Sequence, residues 1–310
     1  MKLFLGVDGG QSGTTALIGD ETGRVLGSGE AGPCNHAGAS EGRARLERAM
    51  TESLAAACRA AGLDAAALEF SAACFGMSGG PEDKREILAR IVQAKRWIVT
   101  HDAATALAGA TADGHGIVTI AGTGSIAYGR SPDGRDARTG GWGYIFGDEG
   151  SAFDIARQAL RAALRMEEGW GPATVLRDAL LEATGAENAN DVLHRFYTPE
   201  WPRSRVATLA PQVDAAALAG DSVADQILAG AAQQLAMLAV SVRDQLWRPG
   251  DPVEVAYIGG VFESGRVRER FRMLVELEAG SRCRPPRHDP SAGALLAAYR
   301  AEGLNPELRW

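Results

Sequence analysis

The sequence predicts an α/β protein built from two related halves, and three patterns support this prediction. Apolar strand-like runs alternate with helical segments along most of the 310 residues, as in sheets covered by crossover helices. The order strand, Gly-rich turn, strand, Gly-rich turn, strand occurs near residues 3–30 and again after Gly116, which indicates an internal repeat. No Pro/Ser-rich linker separates the halves, so we expect helices to join them.

The first half begins with an apolar run, 3–8, that ends at Gly9 and Gly10 and therefore predicts a buried strand followed by a tight turn. Apolar residues at helical spacing predict a helix over 40–61, with Ser40 as its N-cap. The other elements predicted here are strands 14–19 and 24–30 joined by the hairpin turn 20–23, strand 70–75, helix 84–93, strand 97–100 and a helix that starts at 101–102.

The second half restarts the pattern after Gly116. Helices are expected to predominate from 150 to 247, including a long helix capped by Asp221. The remaining predicted elements are strand 117–121, turn 122–125, strand 126–129, the hairpin turn 131–134, a last buried strand 253–258, a helix near 266–278 and a final helix 292–301.

The composition argues against several functional classes. Asp and Glu number 39 against 32 Lys and Arg, and no basic block is present, so nucleic acid and anionic membranes are not expected partners. The longest apolar runs fall short of the ~20 residues that span a membrane, and the N-terminus lacks the pattern of a signal peptide. The four cysteines lack metal-binding spacing, which predicts a reduced, cytoplasmic chain.

The segment GVDGGQSGTT, residues 6–15, is the first candidate ligand site. Its glycines allow a tight turn that brings N–H groups close to an anion, and Asp8 at the strand end could hold Mg²⁺ through water. It is neither a Walker loop nor a GxGxxG fingerprint. Considered alone, it fits a Gly/Ser hairpin without a ligand equally well.

Two further segments strengthen the case for a nucleotide site. IAGTGS, residues 120–125, is a second strand–turn–strand loop in the matching place of the second half. AYIGGVFES, residues 256–264, ends a buried strand at Gly259 and Gly260, where a flat base could lie against backbone; in isolation this pair indicates only a tight turn. Two corresponding loops can grip one polyphosphate from both sides.

In order and separation, the three segments resemble the phosphate-1, phosphate-2 and adenosine motifs of the actin/hexokinase/Hsp70 ATPase superfamily. The chain more closely resembles N-acetylglucosamine kinase-like members of the BadF/BadG/BcrA/BcrD ATPase family, on PCNH at 33–36, HDA at 101–103 and GGWGYIFGDEGSAFDIA at 140–156. Where that family often reads DGGGTKT, this chain has DGGQSGT, with Gly13 in place of a Lys.

The resemblance implies two ribonuclease-H-like, actin-like ATPase domains with an interdomain cleft. We expect an N-terminal domain over 1–110 and a C-terminal domain over 111–291, with a C-terminal helix, 292–304, packing back onto the first. ATP and Mg²⁺ are the implied cofactors.

Asp102 is the predicted general base, because a carboxylate where a buried strand meets a helix N-terminus can accept a hydroxyl proton. The alternative is that Asp102 only caps a helix starting at Ala103. By resemblance, the sugar contacts are Asn35, Asp102, Gly141, Trp142 and Asp148. The alternative for the segment 140–150 is a buried Trp142, with Asp148 and Glu149 only beginning the helix that follows.

The motifs and the resemblance together assign nucleotide binding to Gly9, Gly10, Gln11, Ser12, Thr14, Gly122, Thr123, Gly124, Ala217, Gly259 and Gly260. Ser78 reads as a substrate-side hydroxyl or as part of a plain turn, and the roles of His36 and His101 stay open.

The expected function is an ATP-dependent sugar kinase that phosphorylates an amino sugar, with the 6-hydroxyl of N-acetylglucosamine as the leading acceptor. N-acetylmuramic acid, glucosamine and glucose share most of its hydroxyls and stay open, as does a homodimer. One rival is an activator ATPase that couples hydrolysis to electron transfer through an iron–sulfur cluster shared by two subunits. The other is an actin-type nucleotide-dependent scaffold.

Overall fold

Two five-stranded mixed sheets organise the chain, one in each of two compact units. Unit 1 comprises Met1–His115 and Pro286–Trp310, and unit 2 comprises Gly116–Pro285. The computed structural model describes residues 1–10, 13–34, 39–64, 68–78 and 84–310. The predicted domains, 1–110 and 111–291, stay a prediction, because compactness alone does not show that either unit folds by itself.

Unit 1 contains a sheet with strand order β3-β2-β1-β4-β5. The first three strands form an antiparallel meander, whereas β4 and β5 run parallel to β1. Its elements are β1 (Leu3–Gly9), β2 (Thr14–Asp20), β3 (Val25–Ala31), α1 (Ala39–Ala61), β4 (Phe70–Met77), α2 (Lys84–Ile91), β5 (Ala94–Thr100), α3 (Asp102–Ala110) and α11 (Pro290–Ala301).

Unit 2 repeats this strand order as β8-β7-β6-β9-β10, so the predicted internal repeat is confirmed. Its elements are β6 (Gly116–Ala121), β7 (Ser125–Arg130), β8 (Asp136–Gly140), α4 (Ala152–Glu167), α5 (Leu176–Thr184), α6 (Ala189–Phe196), α7 (Arg203–Ala207), α8 (Ala210–Leu218), α9 (Ser222–Leu246), β9 (Val253–Ile258), a 3-10 turn (Gly260–Glu263), α10 (Gly265–Glu276) and β10 (Ser281–Arg284).

The central strand β1 is buried on both faces, and its alternating side chains face two different cores. Leu5 and Val7 pack in the cluster that includes α1, and Phe4 packs in the cluster that includes α11. Helix α11 approaches the sheet closely, because a Cβ on Gly6 would lie 2.2 Å from the backbone nitrogen of Leu295. The C-terminal helix is thus part of unit 1.

Several predicted boundaries need correction. Helix α1 begins at Ala39, so Ser40 is not its N-cap, and α11 begins at Pro290 behind the N-cap Asp289. The short strand β10 was missed because its polar residues SRCR carry no apolar signal. The predicted N-cap Asp221 is confirmed, because its Oδ1 accepts from the N–H groups of Val223 and Ala224.

Helix α9 is long and apolar enough to cross a membrane by length and composition alone. One face of this helix, including Leu228, Leu235 and Val242, is buried in the core of unit 2. A core helix of a globular protein passes the same test, so this pattern is weak support for a membrane span.

Candidate active site

Unit 1 collects carboxylates at the carboxyl ends of its parallel strands. Asp8 lies near the end of β1, paired with Gly76 of β4, and Asp102 follows β5 as the first residue of α3. Thr105 of α3 joins them, since its hydroxyl lies 3.5 Å from Asp8 Oδ1 and donates to the Asp102 carbonyl oxygen at 2.8 Å. Burial, reinforced by the charges of Asp102 and Asp289, raises the pKa of Asp8 to about 7.

Asp102 is held by one donor on each carboxylate oxygen. Its Oδ1 accepts from the N–H of Ala103 at 2.9 Å, and its Oδ2 accepts from the hydroxyl of Ser78 at 2.8 Å. The N-cap of α3 is His101, whose Nδ1 accepts from the N–H of Ala104 at 3.2 Å. The alternative in which Asp102 is merely the cap is therefore wrong, and the cap role falls to His101.

We expect Asp8→Asn to stabilise the ligand-free protein at pH 8. The pKa of Asp8 rises from 3.8 to about 7 on folding, so between these values the folded state holds the proton more tightly and stability falls as pH rises. At about 1.4 kcal/mol per pKa unit, a rise of about three units predicts that the amide gains up to about 4 kcal/mol at pH 8, or ~10 °C. The gain should be smaller at pH 5, and thermal unfolding at both pH values measures it. Equal gains, or a loss at pH 8, would contradict the shift.

The predicted phosphate-1 turn is only partly described. Gly9 ends β1 and its carbonyl oxygen accepts from the Ser78 N–H at 2.9 Å, and the N–H of Gly10 donates to the Gly13 carbonyl oxygen at 2.9 Å. Thr14 is buried in β2, where its hydroxyl donates to the Gly32 carbonyl oxygen at 2.9 Å. Gln11, Ser12, Asn35 and His36 lie outside the described residues. Nucleotide contacts by this segment stay a prediction.

Unit 2 brings the predicted phosphate-2 and adenosine segments together. Strands β6 and β9 are parallel neighbours in which Ile120 pairs with Ile258, so Gly122 and Gly259 follow at the same edge of the sheet. Gly259 has φ +111°, and a Cβ there would lie 2.3 Å from the carbonyl oxygen of Ala121. The turn Gly122–Gly124 and the pair Gly259–Gly260 thus form one backbone-lined corner.

We expect Gly259→Ala to weaken nucleotide binding and to destabilise unit 2. The new methyl group would strike backbone at a φ that L-residues rarely adopt, which costs ~1–3 kcal/mol. Gly260→Ala is the matched control for stability, because a Cβ there meets nothing within 4 Å. Thermal unfolding of both variants and calorimetric ATP titration of Gly259→Ala against the wild type test this prediction, and equal stability of the two variants would refute it.

Ala217 lies on α8 and is buried in the core of unit 2. Asp214 of the same helix accepts a hydrogen bond from the hydroxyl of Ser264, the N-cap of α10. Helix α8 therefore contacts the segment that follows Gly260. A nucleotide contact by Ala217 stays a prediction.

Asp148 is 4% exposed and is the one described non-glycine residue with a positive φ, +63°. Its Oδ1 accepts from the N–H of Ser125 at 3.1 Å, and its Oδ2 accepts from Arg203 Nη2 at 2.5 Å. Arg203 also donates to the carbonyl oxygen of Thr123 at 3.2 Å. Asp148 and Arg203 thus hold the backbone of the turn Gly122–Gly124 through hydrogen bonds to Ser125 and Thr123. Arg203 was missed by sequence reasoning, because no local pattern joins it to a residue 55 positions away.

Trp142 is 66% exposed, so the alternative of a buried tryptophan is wrong. The guanidinium of Arg138 lies 5.2 Å from its ring centroid. Gly141 has φ +73° and donates its N–H to the Ser125 carbonyl oxygen at 3.0 Å. The predicted sugar contacts of Gly141, Trp142 and Asp148 stay a prediction.

In the described part of the chain, no three His, Cys, Asp or Glu side chains are grouped to hold a metal directly.

Comparison with known proteins places these features in a family context. A model of the BadF/BadG/BcrA/BcrD ATPase family matches residues 5–298. The N-acetylmuramic acid/N-acetylglucosamine kinase of Clostridium acetobutylicum is 32% identical over 307 residues, covering 96% of this chain and 98% of the relative. The N-acetyl-D-glucosamine kinase of Dictyostelium discoideum is 28% identical, with 97% and 99% coverage.

Solved structures share the fold. A Chromobacterium violaceum protein provisionally named an N-acetylglucosamine kinase has a TM-score of 0.79 and 29% identity, covering 96% of this chain and 98% of that one. A ROK family glucokinase from Streptomyces griseus has a TM-score of 0.59 at 20% identity, covering 96% and 98%. The predicted α/β class with actin-like ATPase architecture is confirmed.

Proposed function

Because this chain belongs to the BadF/BadG/BcrA/BcrD ATPase family, we propose that it is an ATP-dependent amino sugar kinase that converts N-acetylglucosamine to its 6-phosphate. The observation that carries the proposal is full-length relatedness to two kinases named for N-acetylated amino sugars, at 32% and 28% identity. The sequence-based prediction of the family is confirmed.

Asp102 is the proposed general base. A carboxylate with a donor on each oxygen has a defined orientation and keeps lone pairs for a sugar hydroxyl. It takes the hydroxyl proton as the oxygen attacks the γ-phosphorus and the bond to the β-phosphate oxygen breaks. Charge on the moving phosphoryl group is met by backbone N–H groups of the turn Gly122–Gly124, for which we propose Thr123 and Gly124, because the Gly122 N–H donates to the Gly124 carbonyl oxygen at 3.0 Å. We propose that Gly259–Gly260 lie against the adenosine.

Asp8 is the proposed residue for Mg²⁺, through water. The site fits a cation, because the buried Asp8 carboxylate lies near the charges of Asp102 and Asp289, and a positive charge would favour its ionised form. When bound, the ion neutralises the polyphosphate charge.

We further propose that Asn35, Gly141, Trp142 and Asp148 contact the sugar, with Trp142 offering an apolar face. A cytoplasmic location, a homodimer and the absence of nucleic-acid or membrane partners stay predictions.

The activator ATPase is not favoured. A cluster shared between subunits needs accessible thiolates, but Cys34, Cys58 and Cys74 are buried and Cys283 is half-buried. Burial is the main cause that raises the pKa of all four thiols, those of Cys74 and Cys283 to about 12. The full-length relatives are also named as sugar kinases.

A coupled assay of ADP release with four sugars tests the proposal. We expect turnover to depend on added sugar, and to be faster with N-acetylglucosamine or N-acetylmuramic acid than with glucosamine or glucose. Phosphorus NMR of the product then shows whether the 6-hydroxyl carries the phosphate. If the rate of ADP release did not change with any of the sugars and rose steeply with protein concentration, the result would instead support an actin-type scaffold.

A further inference from the structure

Ser78 links the proposed base to the phosphate-1 turn. It directly follows β4, where its N–H donates to the Gly9 carbonyl oxygen at 2.9 Å and its hydroxyl donates to Asp102 Oδ2 at 2.8 Å. A Cβ on Gly10 would lie 3.8 Å from the Ser78 hydroxyl oxygen. One residue therefore contacts the carboxylate of α3 and the end of β1 together.

Lys84 contacts the backbone of Ser78. It opens α2 and is 0% exposed, and its Nζ donates to the Ser78 carbonyl oxygen. Lysine is almost never fully buried unless its ammonium is paired. The pKa of the Cys34 thiol is raised, chiefly by burial. Smaller contributions come from the charge of Lys84, which acts to lower this pKa, and from those of Asp8 and Asp102, which act to raise it. The cation thus lies in the same neighbourhood as both carboxylates.

A carboxylate needs such support, because the terminal torsion of an aspartate side chain is broad and roughly two-fold. The Ala103 N–H alone holds only Oδ1 of Asp102, and the Ser78 hydroxyl holds the other oxygen. With both oxygens held, the carboxylate plane is set before a substrate arrives. A bond to an ionised acceptor is also stronger than a neutral one.

We infer that Ser78 and Lys84 are positioning residues for Asp102: Lys84 anchors the backbone of Ser78, and the Ser78 hydroxyl orients the carboxylate toward the acceptor hydroxyl. This inference rests on the proposed kinase function, since it gives Asp102 the role of base. In this role neither residue touches the reacting atoms. Their loss should therefore lower kcat and leave the KM for ATP unchanged.

The test measures kcat and KM with N-acetylglucosamine and ATP. We expect Ser78→Ala to lower kcat by ~10–10²-fold, and Ser78→Thr, which keeps the hydroxyl, to restore most of it. Lys84→Met should lower kcat in the same direction and Lys84→Arg less so. Ser71→Ala, on the same strand, is the matched control and should behave as wild type. Wild-type kcat in a folded Ser78→Ala protein would overturn the inference.

A second measurement separates the inference from the proposed function. In an Asp102→Asn background, Ser78→Ala should add no further loss of kcat, because a positioning residue acts only through its target. Fully multiplicative losses would show that Ser78 acts elsewhere and would overturn the inference. If Asp102→Asn alone kept wild-type turnover, the base assignment in the proposed function would fail. An inactive Asp102→Asn with a fully active Ser78→Ala would refute the positioning role alone.

Discussion

Asp102→Asn is expected to lower kcat by ~10²–10⁴-fold while ATP binding is retained. The amide oxygen can still accept one of the two hydrogen bonds that hold the carboxylate, from Ala103 and Ser78, so the local fold should survive. The amide cannot take a proton from the sugar hydroxyl. Because this change removes proton transfer and not nucleotide contacts, the KM for ATP should change little.

ADP-release kinetics and calorimetric ATP titration check this result. Asp113→Asn is the matched control, because Asp113 is an exposed carboxylate shortly after the same helix, α3. We expect that control to keep wild-type turnover. If Asp102→Asn turned over at the same rate as the control, Asp102 would not be the base.

Arg203→Met is expected to destabilise the protein by about 3 kcal/mol, at the low end for breaking a buried ion pair. Asp148 is 4% exposed and, among the described residues, would keep only the Ser125 N–H as a hydrogen-bond partner. An uncompensated buried carboxylate is costly. Arg203 also stacks over the ring of Tyr144 with 5.3 Å between guanidinium and centroid, so some packing is lost as well.

Chemical denaturation measures this loss and separates its causes. Arg205→Met, on the same short helix α7, is the matched control, because Arg205 is exposed and stacks on Trp201. The double variant with Asp148→Asn removes the stranded charge and should recover part of the stability. Equal losses for both arginines, or a double variant less stable than Arg203→Met, would contradict a buried ion pair.

Much of the fold could be predicted because its signals are local. Apolar runs of period two, helical spacing and Gly-rich turns act within about ten residues, and they located most of the strands and the repeat. Local chemistry likewise indicated Asp8 and Asp102 at strand ends and Asp221 as a cap. The exceptions, such as the polar strand β10 and the start of α1, lacked a local signal.

The sequence by itself determined an α/β chain of two similar halves, its glycine-lined turns and the acidic residues beside one of them. Only the tertiary structure decided that the Ser78 hydroxyl donates to Asp102 over a separation of 24 residues and that Arg203 pairs with Asp148. Such contacts depend on strand order and on close approach of segments remote in the chain, because hydrogen bonds and ion pairs are decided by distance in space. A single sequence carries no direct record of that distance.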